Sequence, residues 1–198
     1  MPVVDPAERA VPVLHVILME LKPGCDPAPL LEAARALRGA PGALDGGAVR
    51  ADAPESTHDA ALWVLLPDRG ALDAFGASEV LMRFLRDALA PTLARMDSGD
   101  FEVPGSPAAG DAALVFAAQA RHGVFAWEWE RAAATLPPGA AAGASAGDRS
   151  RFDFGGVITF PARLDLDDWL VGWPGELGPL ASSLAWVAGR AERWEAAP

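Results

Sequence analysis

The chain has 198 residues with a formal net charge of −11, and hydrophobic residues make up 51% of it. A length of this order fits one large domain or two small ones, and no apolar run approaches the roughly 20 residues of a membrane-spanning helix. The acidic balance disfavours nucleic acid as a partner, because its phosphate backbone would be repelled.

The first residues include Asp5, Glu8 and Arg9 ahead of any apolar run. This charge order differs from that of a secretory signal, so we expect a cytoplasmic protein with no membrane partner. The single cysteine, Cys25, has no partner for an internal disulfide, and we interpret it as a loop thiol.

The first half of the chain predicts the element order βαββαβ. Residues 13–21 are almost wholly apolar between two prolines, which is typical of a strand buried on both faces. Leucines at helical spacing then continue to Gly39, and alternating apolar residues favour a later strand. The expected elements are a strand at 13–21, a helix at 27–39, a weak strand at 43–50, a strand at 59–66, a helix at 72–89 broken near Gly76, and a short strand at 101–103.

The second half predicts a similar but weaker series. A linker rich in Pro, Gly and Ala occupies 104–111. Residues 140–146 carry almost no β-forming side chains, so we expect the stretch at 137–150 to be either a poorly ordered loop or a degenerate edge strand. The remaining elements are a strand at 112–120, a helix at 125–136, a strand at 152–160, a broken helix at 165–187 and a last strand at 190–195.

The two halves also resemble each other in sequence. Residues 14–24 lie over 113–123, and residues 59–67 lie over 153–161, at separations of roughly 95 to 100 residues. A duplicated unit with a small deletion explains both matches. We therefore expect an N-terminal unit at 11–103 and a degenerate C-terminal unit at 112–196.

Each unit alone would leave one face of a four-stranded sheet bare, which favours packing of the two sheets against each other. The predicted fold class is α+β, with two fused ferredoxin-like (βαββαβ) units forming an intramolecular dimeric-type α/β barrel. This pseudo-dimer within one chain leaves further homo-oligomerisation open. The residues expected on the packed faces are Leu14, Val16, Leu18, Trp63, Leu65, Val115, Ala117, Val157 and Thr159.

Three features of the first half resemble a known family. They are His15 opening a strand that ends in Lys22-Pro23-Gly24, the turn Ala40-Pro41-Gly42, and the run from Asp59 to Phe75. Together they resemble the stress-responsive α/β-barrel (Dabb) family and, more distantly, its polyketide cyclases. The resemblance covers 13–103, with a fainter echo over 112–195.

The resemblance implies a hydrophobic pocket between the sheet and the helices. The cyclases of this family close rings without a metal or other cofactor, so neither is expected here. Their tyrosine and two histidines fall at Phe75, Leu81 and Ala60 in this sequence, which disfavours their acid/base pair. The implied pocket residues are His15 as the catalytic group, with Ile17, Met19, Leu62, Val64, Phe75, Leu81 and Phe84 as substrate-binding residues.

The histidines have competing interpretations. His15 could be a general base tuned by burial or a core histidine bonded to a backbone carbonyl. His58 and Asp59 are adjacent, so on a strand they would point to opposite faces, and His58 is interpreted as a loop residue. His122 is expected in a solvated turn.

Two other groups of residues favour structural roles. Asp165 and the carboxylates that follow it are interpreted as caps of a helix start rather than as a cation site. Trp127 and Trp129, two apart on a helix, cannot both be buried on one narrow face. The alternative for these rings is stacking on a flat aromatic ligand.

Two functions follow from these observations. The first is a cofactor-independent enzyme that cyclises or isomerises a hydrophobic small molecule such as a polyketide, with His15 as the acid/base. The second is a non-catalytic small-molecule-binding or stress-responsive Dabb protein. An oxygenase or haem-handling activity is a third hypothesis, although no persuasive ligand pair is visible.

Overall fold

The computed structural model describes residues 10–147, 150–173 and 177–195, and within them the protein has a mixed α+β fold. The strands are β1 (Val13–Leu21), β2 (Asp45–Ala51), β3 (Ala60–Leu66), β4 (Leu93–Glu102), β5 (Ala112–Ala120), β6 (Ala141–Ala144), β7 (Phe154–Phe160) and β8 (Ala181–Glu195). The helices are α1 (Ala28–Ala34), α2 (Arg69–Gly76), α3 (Glu79–Arg83), α4 (Ala90–Thr92), α5 (Ala126–Ala133) and α6 (Arg163–Leu170). A 3-10 turn at Arg35–Gly39 extends α1, and a π-helical turn at Phe84–Leu89 joins α3 to α4.

The strands form one antiparallel sheet in the order β4-β1-β3-β2-β8-β5-β7-β6. Strands β2 and β8 pair from Asp45 opposite Glu195 to Ala51 opposite Gly189, which joins the first and second halves of the chain. At the far ends of the sheet, Phe101 in β4 forms a bridge with Ser145, just beyond β6. The sheet is therefore curled until its two end strands meet.

The inner face of the curled sheet holds one apolar cluster with members from both halves. It contains the expected Leu14, Val16, Leu18, Trp63, Leu65, Val115, Ala117 and Val157, together with Phe101 and Phe152. Thr159 is buried as well, and its hydroxyl has no hydrogen-bond partner among the described residues.

Helices cover the outer face in two further clusters. In the first half, Ile17, Met19, Leu62 and Val64 lie under α1, α2 and α3. In the second half, Leu114, Phe116 and Ile158 pack against Trp129, Leu166 and Trp173. Trp129 is buried whereas Trp127 is exposed, as the spacing of this pair on α5 requires.

Two predicted boundaries were wrong. The closing strand of the first half begins at Leu93 rather than at residue 101, because it pairs with β1 from Leu93 to Glu102, which no local pattern reveals. Residues 181–187 were predicted as the end of a broken helix but begin β8 instead, where Val187 and Ala185 alternate inward while pairing with β5. Residues 174–176 of that predicted helix lie outside the described residues.

The alanine- and glycine-rich stretch forms the edge strand β6. A Cβ on Gly143 would lie 1.7 Å from the carbonyl oxygen of Glu102, so the close approach of β6 to β4 requires a residue without a side chain. This stretch therefore has small residues of poor β propensity because larger side chains would not fit beside β4. The predicted loop extended over residues 148 and 149, which lie outside the described residues.

The longest α-helices in the described residues have 8 residues each. A helix needs about 20 residues to cross a bilayer, so none of these spans a membrane.

Candidate functional site

A cleft of about 670 Å³ opens on the outer face of the sheet beside α2. His15 from β1 and Asp100 from β4 form its polar floor. Leu72, Phe75 and Leu81 form an apolar wall, and the described residues that line the cleft from the second half of the chain are Ala146, Gly147 and Ser150. The volume is in the range of small-molecule sites.

His15 and Asp100 are direct neighbours in the ladder between β1 and β4. The Nδ1 atom of His15 lies 2.6 Å from Oδ1 of Asp100. A carboxylate can only accept, so Nδ1 donates and the neutral ring presents Nε2 as a proton acceptor. No hydrogen-bond partner of Nε2 lies among the described residues. The pair therefore has the arrangement of a general base held by an orienting carboxylate.

The environment of His15 combines apolar contact with access from the cleft. The ring of Phe75 lies 5.5 Å from the imidazole, centroid to centroid, in a tilted arrangement. The side chain of His15 is 16% exposed and that of Asp100 is 30% exposed. Both groups can thus be reached by a molecule in the cleft.

The charges at the rim of the cleft are largely paired. Arg69 donates from Nε and Nη2 to the Glu102 carboxylate at 3.0 and 2.7 Å. Asp73 also lines the cleft, and no hydrogen bond joins it to His15 within the described part of the chain. The cleft thus combines one apolar wall, a polar floor and charged groups at its rim.

A second histidine pairs with the same strand from the opposite face. Nε2 of His58 lies 3.1 Å from Oδ2 of Asp97, and Nδ1 lies 2.8 Å from the hydroxyl of Thr57. Burial lowers the pKa of His58 and outweighs the attraction of Asp97, while nearby Arg95 lowers this pKa further. The His58 side chain is fully enclosed, so it has a structural position and no access to a ligand.

The predicted site residues fall into two groups. His15, Phe75 and Leu81 line the cleft. The others are buried in the outer cluster under the helices and are not among the cleft-lining residues; they are Ile17, Met19, Leu62, Val64 and Phe84. Phe84 borders a separate cleft of about 430 Å³.

Sequence reasoning missed both aspartates that pair with histidines. Asp97 and Asp100 precede residue 101, where the closing strand was expected to begin, so neither was placed in a predicted element. The available signal was alternation: Asp97 and Phe101 share the inner face of β4, and Asp100 shares the outer face with Glu102. His58 lies in a loop, as predicted, and it is buried there.

The corresponding place in the second half has no acid/base pair. Leu114 and Ala188 are neighbours in the ladder between β5 and β8, at the position that His15 and Asp100 hold in the first half. The space above them is filled with rings, since Trp173 lies 5.0 Å from Phe116 and 4.8 Å from Trp169, centroid to centroid. The histidine–aspartate pair that borders a cleft therefore belongs to the first half of the chain.

No group of three or more His, Cys, Asp or Glu side chains suited to a metal ion occurs among the described residues. The carboxylate of Asp165 accepts from the amide of Ala162 at 3.1 Å, so it caps the start of α6. His122 is exposed, and Cys25 is partly buried.

No protein-family model matches the chain, and no curated protein matches it significantly. Among solved structures, it is similar to an anthrone oxidase-like protein, with a TM-score of 0.66, 9% identity, and coverage of 97% of this chain and 96% of the other. A candidate monooxygenase from Lactobacillus acidophilus gives a TM-score of 0.62 and 11% identity, with coverage of 93% and 96%.

A Dabb family protein with a ferredoxin-like fold from Mesorhizobium loti covers 48% of this chain and 99% of its own, with a TM-score of 0.43 and 17% identity. Structural similarity at sequence identities this low shows a shared fold but does not show a shared reaction. The chain therefore shares its mixed α+β fold, over nearly its whole length, with the anthrone oxidase-like protein and the candidate monooxygenase.

Proposed function

We propose that the protein is a cofactor-independent enzyme that acts on a hydrophobic small molecule, such as a polyketide, by cyclisation or isomerisation. The observation that carries the proposal is the 2.6 Å contact between His15 and Asp100 on the floor of a cleft with an apolar wall. An imidazole held in this way can accept a proton at Nε2 while its Nδ1–H stays bonded to the carboxylate.

The proposed reaction begins with proton transfer to Nε2 of His15 from a carbon beside a substrate carbonyl. The electron pair of the broken C–H bond remains on the substrate as an enolate. Asp100 stabilises the resulting imidazolium through Nδ1. In an isomerisation, His15 then returns the proton to a different atom of the substrate. In a cyclisation, the enolate first closes the ring, and His15 then returns the proton to the product.

The apolar wall supports a hydrophobic substrate. Leu72, Phe75 and Leu81 offer no hydrogen bonds from their side chains, so shape and burial would position the ligand. Phe75 stands where the cyclases of the Dabb family have a tyrosine, and His15 would therefore serve as both base and acid.

We also propose that the architecture arose from two fused ferredoxin-like units, at 11–103 and 112–196, joined by a linker at 104–111. In support, the strand order β4-β1-β3-β2 of the first half recurs as β8-β5-β7-β6 in the second. The β2–β8 pairing and the bridge from Phe101 to Ser145 would be the two seams of a barrel. Residue 196 lies outside the described residues. A distant relationship to the Dabb family fits this arrangement.

The proposal is tested with anthrone, a flat ketone with an acidic methylene group. Exchange of that methylene with deuterium, followed by NMR, reports proton abstraction without requiring the natural substrate. The His15→Asn variant is expected to lose about 100-fold or more of the protein-catalysed exchange, the usual contribution of a general base. The matched control is His122→Asn, which replaces an exposed histidine and should exchange anthrone at the wild-type rate.

Three outcomes separate the candidate functions. Equal exchange rates for His15→Asn and the wild type would refute the role of His15. Perturbation of the His15 imidazole resonance by anthrone without any exchange would instead assign a non-catalytic binding protein. Oxygen consumption that requires His15 would redirect the proposal from cyclisation or isomerisation to oxidation of the same enolate.

A further inference from the structure

We infer that Arg69, which lines the cleft, is a further catalytic residue that donates a hydrogen bond to the oxygen of an enolate as His15 takes the substrate's proton. The inference rests on the proposed function, because enolate charge arises only if a proton leaves the substrate. It narrows the substrate class to neutral ketones that can form an enolate.

Arg69 is anchored to the strand that carries the carboxylate partner of His15. Its Nε and Nη2 atoms donate to the Glu102 carboxylate at 3.0 and 2.7 Å. In the ladder with β1, Asp100 lies opposite His15, and Glu102 follows two residues later on the same face of β4. Two residues of a strand span about 7 Å. The guanidinium is therefore held beside the proposed base, at the rim of the same cleft.

This spacing suits a single carbonyl group and the carbon beside it. Hydrogen bonds are about 3 Å long, so one contact at each end of a C–C–O unit gives a span of about 8 Å. The C–H group can then meet Nε2 of His15 while the oxygen meets the guanidinium of Arg69. When the C–H bond breaks, its electron pair moves to the oxygen and the proton to Nε2, and the hydrogen bond from Arg69 stabilises the new charge.

The equivalent arginine of the second half shows what Glu102 changes. Both α2 and α6 begin at an arginine and have an aspartate one helical turn later. In α6, Nη2 of Arg163 lies 2.9 Å from Oδ1 of Asp167, so this arginine is bonded within its own helix. In α2, Glu102 accepts from the guanidinium instead, and no hydrogen bond joins Arg69 to Asp73 within the described part of the chain. Glu102 thus directs Arg69 toward the strand of the proposed acid/base pair.

The charges around the cleft favour a neutral substrate over an anion. Among the described residues, two lining aspartates and Glu102 place three carboxylates around the single guanidinium of Arg69. A ligand that arrives with its own carboxylate would meet this excess of negative charge. An enolate forms only as the imidazole of His15 becomes positive, so the total charge in the cleft does not change. Arg69 therefore suits charge that develops during the reaction.

Arg69→Met tests the catalytic role through deuterium exchange of anthrone. We expect the exchange rate at saturating anthrone to fall about 100-fold, the usual cost of removing one oxyanion donor, while the affinity for anthrone changes less than about threefold. Urea unfolding should change little, because an exposed ion pair contributes little to stability.

The matched control is Arg83→Met. Arg83 is 66% exposed and contacts Glu79 at 2.7 Å, much as Arg69 is 60% exposed and contacts Glu102 at 2.7 Å, but Arg83 does not line this cleft. This variant should exchange anthrone at the wild-type rate. A loss in Arg83→Met equal to that in Arg69→Met would refute a specific role for Arg69.

Glu102→Ala tests whether the strand positions this arginine. An untethered guanidinium samples positions away from the carbonyl oxygen, so exchange should fall about tenfold. On the Arg69→Met background, the same substitution should change the rate less than about twofold, because Glu102 acts through Arg69. An equal tenfold loss on both backgrounds would refute the positioning role of Glu102.

The substrate class is tested by calorimetric titration with two ligands of matched size, 2-acetonaphthone and 2-naphthoate. The neutral ketone should bind about tenfold or more tightly than the carboxylate, since like charges repel the latter. Tighter binding of 2-naphthoate would refute the restriction to neutral ketones and assign the cleft to a carboxylate ligand.

The two proposals fail in different ways. If the wild type does not exchange anthrone, the enzyme proposal is refuted, and the catalytic role of Arg69 is refuted with it. If exchange depends on His15 while Arg69→Met exchanges at the wild-type rate, the enzyme proposal stands and the role of Arg69 is wrong.

Discussion

The same residue pair has different consequences on the two faces of β4. His15 with Asp100 and His58 with Asp97 are both histidine–aspartate contacts, but only the first borders a cleft. His58 is fully enclosed, so its imidazole can neither meet a ligand nor exchange protons readily with solvent. The candidate catalytic pair therefore differs from the structural pair in being accessible to a molecule in the cleft, and not in residue type.

Replacing Asp100 with asparagine should impair His15 without unfolding the protein. The amide can accept from one imidazole tautomer and donate to the other, and it gives no charge stabilisation to the imidazolium. We expect anthrone exchange to fall about 100-fold, with the midpoint of urea unfolding nearly unchanged.

Asp73→Asn is the matched control for this variant. It removes a charge from the same cleft but no hydrogen bond to His15 within the described part of the chain. Similar losses in the two variants would indicate a general effect of negative charge, contrary to an orienting role for Asp100. The NMR signal of the His15 Nδ1 proton should change in Asp100→Asn and persist in Asp73→Asn.

At the scale of elements, the seam between β2 and β8 determines how the two halves meet. The backbones approach so closely at Gly189 that a Cβ there would lie 1.9 Å from the carbonyl oxygen of Arg50. The obstructing atom belongs to the backbone of a paired strand, so it cannot move aside as a flexible side chain would.

Gly189→Ala should therefore destabilise the protein by about 2 kcal/mol or more, because the seam must open to admit a methyl group. Urea unfolding monitored by tryptophan fluorescence measures this change. Gly105→Ala, in the linker where a Cβ meets nothing within 4 Å, should shift the free energy of unfolding by less than about 0.5 kcal/mol. A neutral Gly189→Ala variant would contradict the pairing of β2 with β8.

At the scale of the whole molecule, ionic groups close both ends of the curled sheet. At one end, Arg193 donates from Nε to Oδ1 of buried Asp45 at 3.0 Å, and Ser106 from the linker bonds the same carboxylate. At the other end lie His58, Asp97 and Arg151, so elements from both halves contribute to each closure. The apolar interior between them is thereby sealed from water.

This arrangement predicts a dependence of stability on pH. Burial lowers the pKa of His58 in the folded protein below 6.5, although Asp97 and Glu20 oppose that shift and Arg95 favours it. As the pH falls below 6.5, His58 binds a proton in the unfolded chain but not in the folded protein. The free energy of unfolding therefore decreases until the pH reaches the pKa of His58 in the folded protein. Between pH 7.5 and 5.5 the free energy of unfolding should therefore decrease, and this group can contribute at most about 1.4 kcal/mol to the decrease.

Urea unfolding at the two pH values measures this loss. His58→Gln should have a smaller decrease between pH 7.5 and 5.5 than the wild type, whatever its overall stability. The control is His122→Gln, which changes an exposed histidine and should keep the wild-type decrease. An unchanged decrease in His58→Gln would show that other groups cause the acid sensitivity.

Much of the element order followed from local patterns. The apolar run of β1 and the alternation in β3 and β7 depend on residues close in sequence, and the predicted α+β class is confirmed. Side-chain parity also placed Leu14, Val16 and Trp63 on the face that forms the inner cluster, because alternation is a property of the strand itself. His15 was identified as a candidate from one strand and a family resemblance.

Other features depended on contacts between distant residues. The polar segment of β4 and the start of β8 are strands because neighbouring strands pair with them, which local propensity does not report. Asp100 reaches His15 across 85 positions of sequence, and residues from the other half of the chain line the same cleft. The sequence alone determined which faces are apolar; the tertiary structure decided which charged groups meet, since a hydrogen bond requires a register that only the assembled sheet sets.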